Sequence, residues 1–216
     1  MATIYPPIGI FDEVADAEDL NALLALRART DPLLGDGLER ALAIPAKDRA
    51  YGPGAGYIMA PFAHPSPAGT RFGPPAFAEP SFGVYNAARD EATSIAEVRH
   101  HRTAFLAATR AVAQDLDFEV IAAPIKGSRF YDLRDRKEEF AEIYSRTDYS
   151  SSQRFAVRAR GENVDGIAYD SVRREGGECL AVFRPRCVGP AKVVKNLIFR
   201  WDGEEISAVL ETHSLG

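Results

Sequence analysis

The last quarter of the chain leaves little choice of fold. Between Val164 and Thr212 four stretches, VDGIAYDS, GECLAVFRP, AKVVKNLIFRW and EISAVLET, carry apolar and β-branched residues over strand length, with turn residues between them. WDGEE, between the last two, contains Asp202-Gly203, a dipeptide suited to the positive φ angles of a tight hairpin. Strands joined this closely pair antiparallel, because a parallel pair needs a crossover of a dozen or more residues. The chain ends in sheet.

The rest of the chain decides the class. DAEDLNALLALRART places Leu20, Leu23, Leu24 and Arg27 at helical spacing, with acids at its start and arginines at its end, as the helix dipole favours. Pro32 is expected to stop this helix. A shorter helix around GLERALAI follows, and the two read as an N-terminal helical layer. From Pro45 to Pro80 the sequence is rich in Pro, Gly and Ala with aromatic residues between, too apolar for a linker and too broken for long regular elements.

The strand SFGVYNA comes next, then a helix expected over about 90–114. Asp90 is its N-cap, and Ile95, Val98, Phe105 and Val112 form its apolar stripe. Strands are expected in DFEVIAAPIKG and RFYDLRD, and a helix near RKEEFAEIYSR. A further helix starts at Ser150, with Ser150 and Gln153 as a capping box and Gly161 as C-cap. No repeat appears. The pattern is α+β in one domain with short, mostly antiparallel strands and flanking helices, not a doubly wound sheet. Within it, residues 1–60 read as an N-terminal helical region packed on a core of residues 61–216.

Function classes narrow quickly. With 26 Lys+Arg against 31 Asp+Glu the net charge is −5, and the basic residues are scattered, so direct nucleic-acid binding is not expected. No apolar run approaches the roughly 18 residues of a membrane span, and MATIYPPIGIFDEVAD lacks the pattern of a secretory signal. A cytoplasmic protein is the expectation. Cys179 and Cys187, the two cysteines, make neither a disulfide framework nor a zinc site and read as reduced thiols.

Several chemical motifs fail on context. GPGAGY has no Lys-Ser/Thr behind it and does not lead from a strand into a helix, so it is not a phosphate loop. Glu97 and His101 are four apart and could chelate, but HExxH and a placed third ligand are missing. Cys179 lies in an apolar strand, and G-x-S-x-G is absent. What remains is Arg71 in an apolar loop, Tyr85 near a strand end, Glu97 two turns into the next helix and Ser171 at another strand end. Each alone reads equally as a surface cation, core ring, solvated helix residue or turn residue.

Together they carry a resemblance. RFGPP, FGVYNA, SIAEVRHH and VDGIAYDSVRREGGECLAVF, in that order between Arg71 and Pro185, resemble the RES domain, named for its arginine, glutamate and serine. The resemblance implies a fold similar to ADP-ribosyltransferase toxins. It implies an activity that destroys NAD+ by cleaving its nicotinamide–ribose bond, with NAD+ as substrate and no further cofactor or metal. It also implies the role of a toxin in a bacterial toxin–antitoxin pair, blocked by a cognate antitoxin with an Xre-like helix-turn-helix. Carried over by position, Glu97 and Ser171 are the catalytic residues and Arg71 and Tyr85 the substrate-binding ones. Two departures stand out: Ala76 replaces a glycine, and Asp170 replaces a proline before the serine. The alternatives are a metal- or histidine-dependent hydrolase using Glu97 with His100 or His101, and a binding module without catalysis. Self-association as a homodimer stays open.

Overall fold

The structure, a computed structural model, describes residues 7–27 and 36–212. The expected stop at Pro32 lies outside the described residues. The N-terminal layer holds α1 (Ala17–Arg27) and α2 (Asp36–Ala43). Ile10, Phe11, Leu20, Ala41, Ala55 and Met59 pack there into one apolar cluster.

A nine-residue helix, α3 (Ala55–Ala63), lies inside the stretch that reads as too broken for regular structure. It is buried on nearly every side, so it shows no amphipathic period. Its start is capped from a distance: the Asp12 carboxylate accepts the N–H groups of Gly54 (2.7 Å) and Gly56 (3.1 Å). Pro61 sits in its last turn, close to the end it would otherwise impose.

Among the described residues seven strands form two sheets. One has four strands in the order β1 (Tyr85–Ala88), β5 (Glu178–Val182), β4 (Gly166–Asp170), β3 (Phe130–Asp132). The other has three: β2 (Gln114–Ala122), β6 (Lys192–Trp201), β7 (Ile206–Thr212). All pairs are antiparallel except β3 with β4. The fold is α+β, as the sequence pattern implies. At the β6–β7 turn Gly203 adopts φ +109°, and Asp202 Oδ1 accepts the N–H groups of Glu204 and Glu205 (both 2.9 Å).

Between the sheets runs α4 (Glu91–Ala108), the element that organises the molecule. Asp90 caps it, accepting from Thr93 N at 2.9 Å and Thr93 Oγ1 at 2.7 Å. Ile95, Val98 and Leu106 pack on the three-stranded sheet with Phe118, Phe199 and Trp201. The helix ends earlier than its sequence suggests. Arg110 turns to φ +52°, and Gln114 already pairs with Trp201 in β2. Phe105 and Val112, expected in the buried stripe, are 55% and 79% exposed; Leu106 takes the buried place.

Two further readings are corrected. RKEEFAEIYSR forms consecutive turns, not a helix. Arg136 and Lys137 at its start oppose the helix dipole, and Ile143 N and Tyr144 N both donate to Phe140 O (2.8 and 3.2 Å), so the ladder stops after one turn. In α5 (Ser150–Gly161) the capping box is absent: Ser150 Oγ donates to Asp148 (3.1 Å), and Gln153 Nε2 to the Thr70 carbonyl (3.0 Å). Gly161 is the last helical residue, and Asn163, at φ +61°, makes the left-handed exit.

Candidate active site

Glu97 is the seventh residue of α4 and lies on the side turned toward the four-stranded sheet, where Ser171 leaves β4. The Ser171 hydroxyl donates to Glu97 Oε1 at 2.5 Å. Its oxygen in turn accepts the backbone N–H groups of Arg173 and Arg174, both at 3.0 Å. A serine hydroxyl has one proton and two lone pairs, and here all three are committed. Ser171 therefore fixes the carboxylate and has no free lone pair with which to attack a substrate. It is 2% exposed.

The loop after Ser171 is closed by its own N–H on the Gly177 carbonyl (2.7 Å). Gly177 lies against α4: a Cβ there would come within 2.6 Å of Thr93 Oγ1. Only a residue without a side chain lets the serine loop approach the helix that carries Glu97. Asp170, one of the departures, is in use as well. Its N–H donates to the Tyr144 hydroxyl (3.2 Å), which proline could not do, and its carboxylate accepts from Asp135 N (3.0 Å).

Arg71 is no surface cation. It is 7% exposed, donates to the Ile143 carbonyl at 2.6 Å, and stacks over Tyr149 with Cζ 4.8 Å from the ring centroid. Phe72 beside it is fully buried edge-on against Tyr169 (4.8 Å), which anchors the loop. Tyr149 also accepts from Arg173 (3.1 Å), and its ring lies 6.4 Å from that of His101. Glu97 keeps 21% of its side chain exposed, and His101 Nε2 stands 4.0 Å from Glu97 Oε2.

The electrostatics follow this crowding. Desolvation, then the guanidinium groups of Arg173, Arg71 and Arg102, hold His101 below its ordinary pKa. Burial and the Glu97 charge push the Cys179 thiol up to about 12; its Sγ lies 3.9 Å from Glu97 Oε1. That thiol is no nucleophile. Burial, with Cys179 and Glu97 next, raises Tyr169 well above its ordinary value, while Arg71 lowers it. Glu97 and Arg71 thus act on the same buried groups.

Tyr85 is set apart from these three. Strand residues alternate between faces. Val84 and Ala88 belong to the cluster with Tyr169 and Cys179, whereas Tyr85 packs on the other face with Ile58, Phe62 and Val182. Burial pushes its hydroxyl up to about 12. The structure thus does not bring the Tyr85 ring to the face of β1 on which Tyr169 and Cys179 meet Glu97. Tyr149, which takes an aromatic place beside Arg71, carries no local motif, since its partner is far away in sequence. Tyr169 and Arg173 fall within VDGIAYDSVRR, where a look at strand parity around Ser171 would have marked both. Among the described residues, no group of three or more His, Cys, Asp or Glu could hold a metal ion.

The family model of the RES domain matches residues 48–202. The chain belongs to the RES domain family. The matched region runs from Asp48 through β6 and contains Arg71, Glu97 and Ser171 with α4 and the four-stranded sheet. The RES domain is associated with toxin–antitoxin systems. No curated protein matches the chain. Among the described residues no helix is long and apolar enough to cross a membrane.

Proposed function

We propose that this RES domain cleaves the nicotinamide–ribose bond of NAD+ and serves as the toxin of a toxin–antitoxin pair. The observation that carries the reading is the Glu97 carboxylate, held by Ser171 at 2.5 Å in a neighbourhood otherwise rich in guanidinium groups. The bond electrons go to the pyridinium nitrogen, so nicotinamide departs neutral and needs no general acid. Positive charge then builds on the ribose, and a fixed carboxylate stabilises it. Held on a helix and by a serine whose own bonds are all committed, Glu97 needs little reorganisation as that charge develops.

The pyrophosphate of NAD+ is a dianion, and Arg71 offers a permanent charge whose planar donor fork is steadied by the Tyr149 ring and the Ile143 carbonyl. Arg173 and Arg146, which together bias His100, extend the positive field. An acceptor, water or phosphate, then adds to the ribose carbon and completes the reaction. A cytoplasmic enzyme of this kind would deplete a metabolite shared by every dehydrogenase, so its activity calls for a blocking partner in trans. An Xre-like antitoxin with a basic DNA-binding surface suits a chain of net charge −5.

The test is to incubate the purified chain with NAD+, with and without phosphate, and analyse the products by mass. Free nicotinamide with ADP-ribose or its phosphate ester is the expected result. Intact NAD+ after prolonged incubation with folded protein overturns the reading.

A further inference from the structure

A pocket lies away from Glu97, at the junction of the N-terminal layer and the four-stranded sheet. It encloses about 340 Å³, at the lower end of the roughly 300–1,000 Å³ of ligand pockets, and none of Arg71, Glu97, Tyr149 or Ser171 lines it. Its apolar walls include Phe62, Phe82 and Phe183, and its cationic lining is Arg40, Arg160 and Arg184.

The charges here do not balance. Among the described residues Asp48 is the one carboxylate lining the pocket, and it is already shared by Arg184 NH1 (3.0 Å) and Arg186 Nε (3.1 Å), the latter outside the lining. Among the described residues the Arg160 guanidinium makes one hydrogen bond, to the Phe183 carbonyl at 3.3 Å, and its Cζ lies 4.4 Å from the Phe82 ring centroid. Arg184 Nε is buried with no hydrogen-bond partner, Asp165 Oδ1 being 3.8 Å away. Desolvation first, then the neighbouring Arg184 charge, lowers the Arg160 pKa, and Asp48 partly offsets them.

We propose that this pocket binds a small organic anion, a phosphate or carboxylate carried on a flat ring, of the size of a nucleoside monophosphate. The guanidinium groups supply charged, planar donors for the anion, and the phenylalanine walls with the stacked Arg160 supply faces for the ring. An intact dinucleotide is too large for the space. The bound anion would join Arg40 of α2 to Arg160 of α5 and so tie the N-terminal layer to the core.

The probe is adenosine 5′-monophosphate, titrated calorimetrically into the full chain beside adenosine and inorganic phosphate. We expect saturable binding of the monophosphate, with adenosine and phosphate each at least about tenfold weaker. Arg160→Gln and Arg40→Gln should each weaken it about tenfold or more, while Arg71→Gln leaves it within about twofold. The monophosphate should also raise the thermal midpoint of the wild-type chain and fail to raise that of folded Arg160→Gln protein. Absence of saturable binding up to millimolar concentrations overturns the proposal. So does binding lost in Arg71→Gln but kept in Arg160→Gln, which would place the nucleotide beside Glu97. Phosphate binding as tightly as the monophosphate would show that the ring contributes nothing, and would overturn it equally.

Discussion

Ser171 is worth more to this site than its chemistry alone suggests. Its hydroxyl joins the backbone N–H groups of Arg173 and Arg174 to Glu97, so one side chain sets both a loop and a carboxylate. Ser171→Ala leaves those N–H groups without their partner and Glu97 free to rotate. We expect NAD+ turnover to fall about tenfold or more with KM nearly unchanged, and stability to fall by about 1–3 kcal/mol. A rise confined to KM would show that Ser171 binds substrate and does not orient the glutamate. Arg71 makes the complementary case. Arg71→Lys keeps the charge but loses the planar fork, the stacking on Tyr149 and the geometry of the Ile143 bond. The apparent KM for NAD+ should rise several-fold or more, and a lysine variant with unchanged KM contradicts the role. Motif order singles out Arg71, Glu97 and Ser171 in the sequence, and the fold brings them into one neighbourhood. Tyr85 stands apart from them because a motif gives position, while strand parity decides which face receives the ring.

At the scale of elements, the strands were readable and the helices less so. Each strand stretch named from the sequence overlaps one of the seven strands found among the described residues, because alternation and turn residues are local signals. The helices failed where the cause was remote. The cap of α3 comes from Asp12, and Gln153 is drawn from its expected cap to the Thr70 carbonyl. Where the cause was local, as at Asp90, the reading held. The Asp90 carboxyl sits below its ordinary range because Thr93 donates to it through both N–H and hydroxyl. A depressed folded value means that its stabilisation is complete above the unfolded pKa of about 3.9 and is lost as pH falls through the folded value. Asp90→Ala should therefore lower the thermal midpoint at neutral pH by about 2–4 °C, with the gap from wild type closing under acid. An equal gap at pH 7 and at pH 2 would contradict this account of the cap.

Taken whole, the molecule uses two sheets to hold one helix. One side of α4 is buried against β2, β6 and β7, and the other presents Glu97 to Ser171. A carboxylate on such a helix has little freedom to adapt, which suits a fixed electrostatic role. In cells, this reading predicts that the wild-type chain expressed alone lowers NAD+ and arrests growth, while Glu97→Gln at matched levels does neither. Equal growth and equal NAD+ for the two would remove the toxin role. The most direct measurement is NAD+ turnover by purified wild-type and Glu97→Gln protein, with circular dichroism and thermal melting confirming that both are folded. The account predicts release of free nicotinamide by the wild type and a loss of about a hundredfold or more in the variant. Equal NAD+ consumption by the two folded proteins would contradict it.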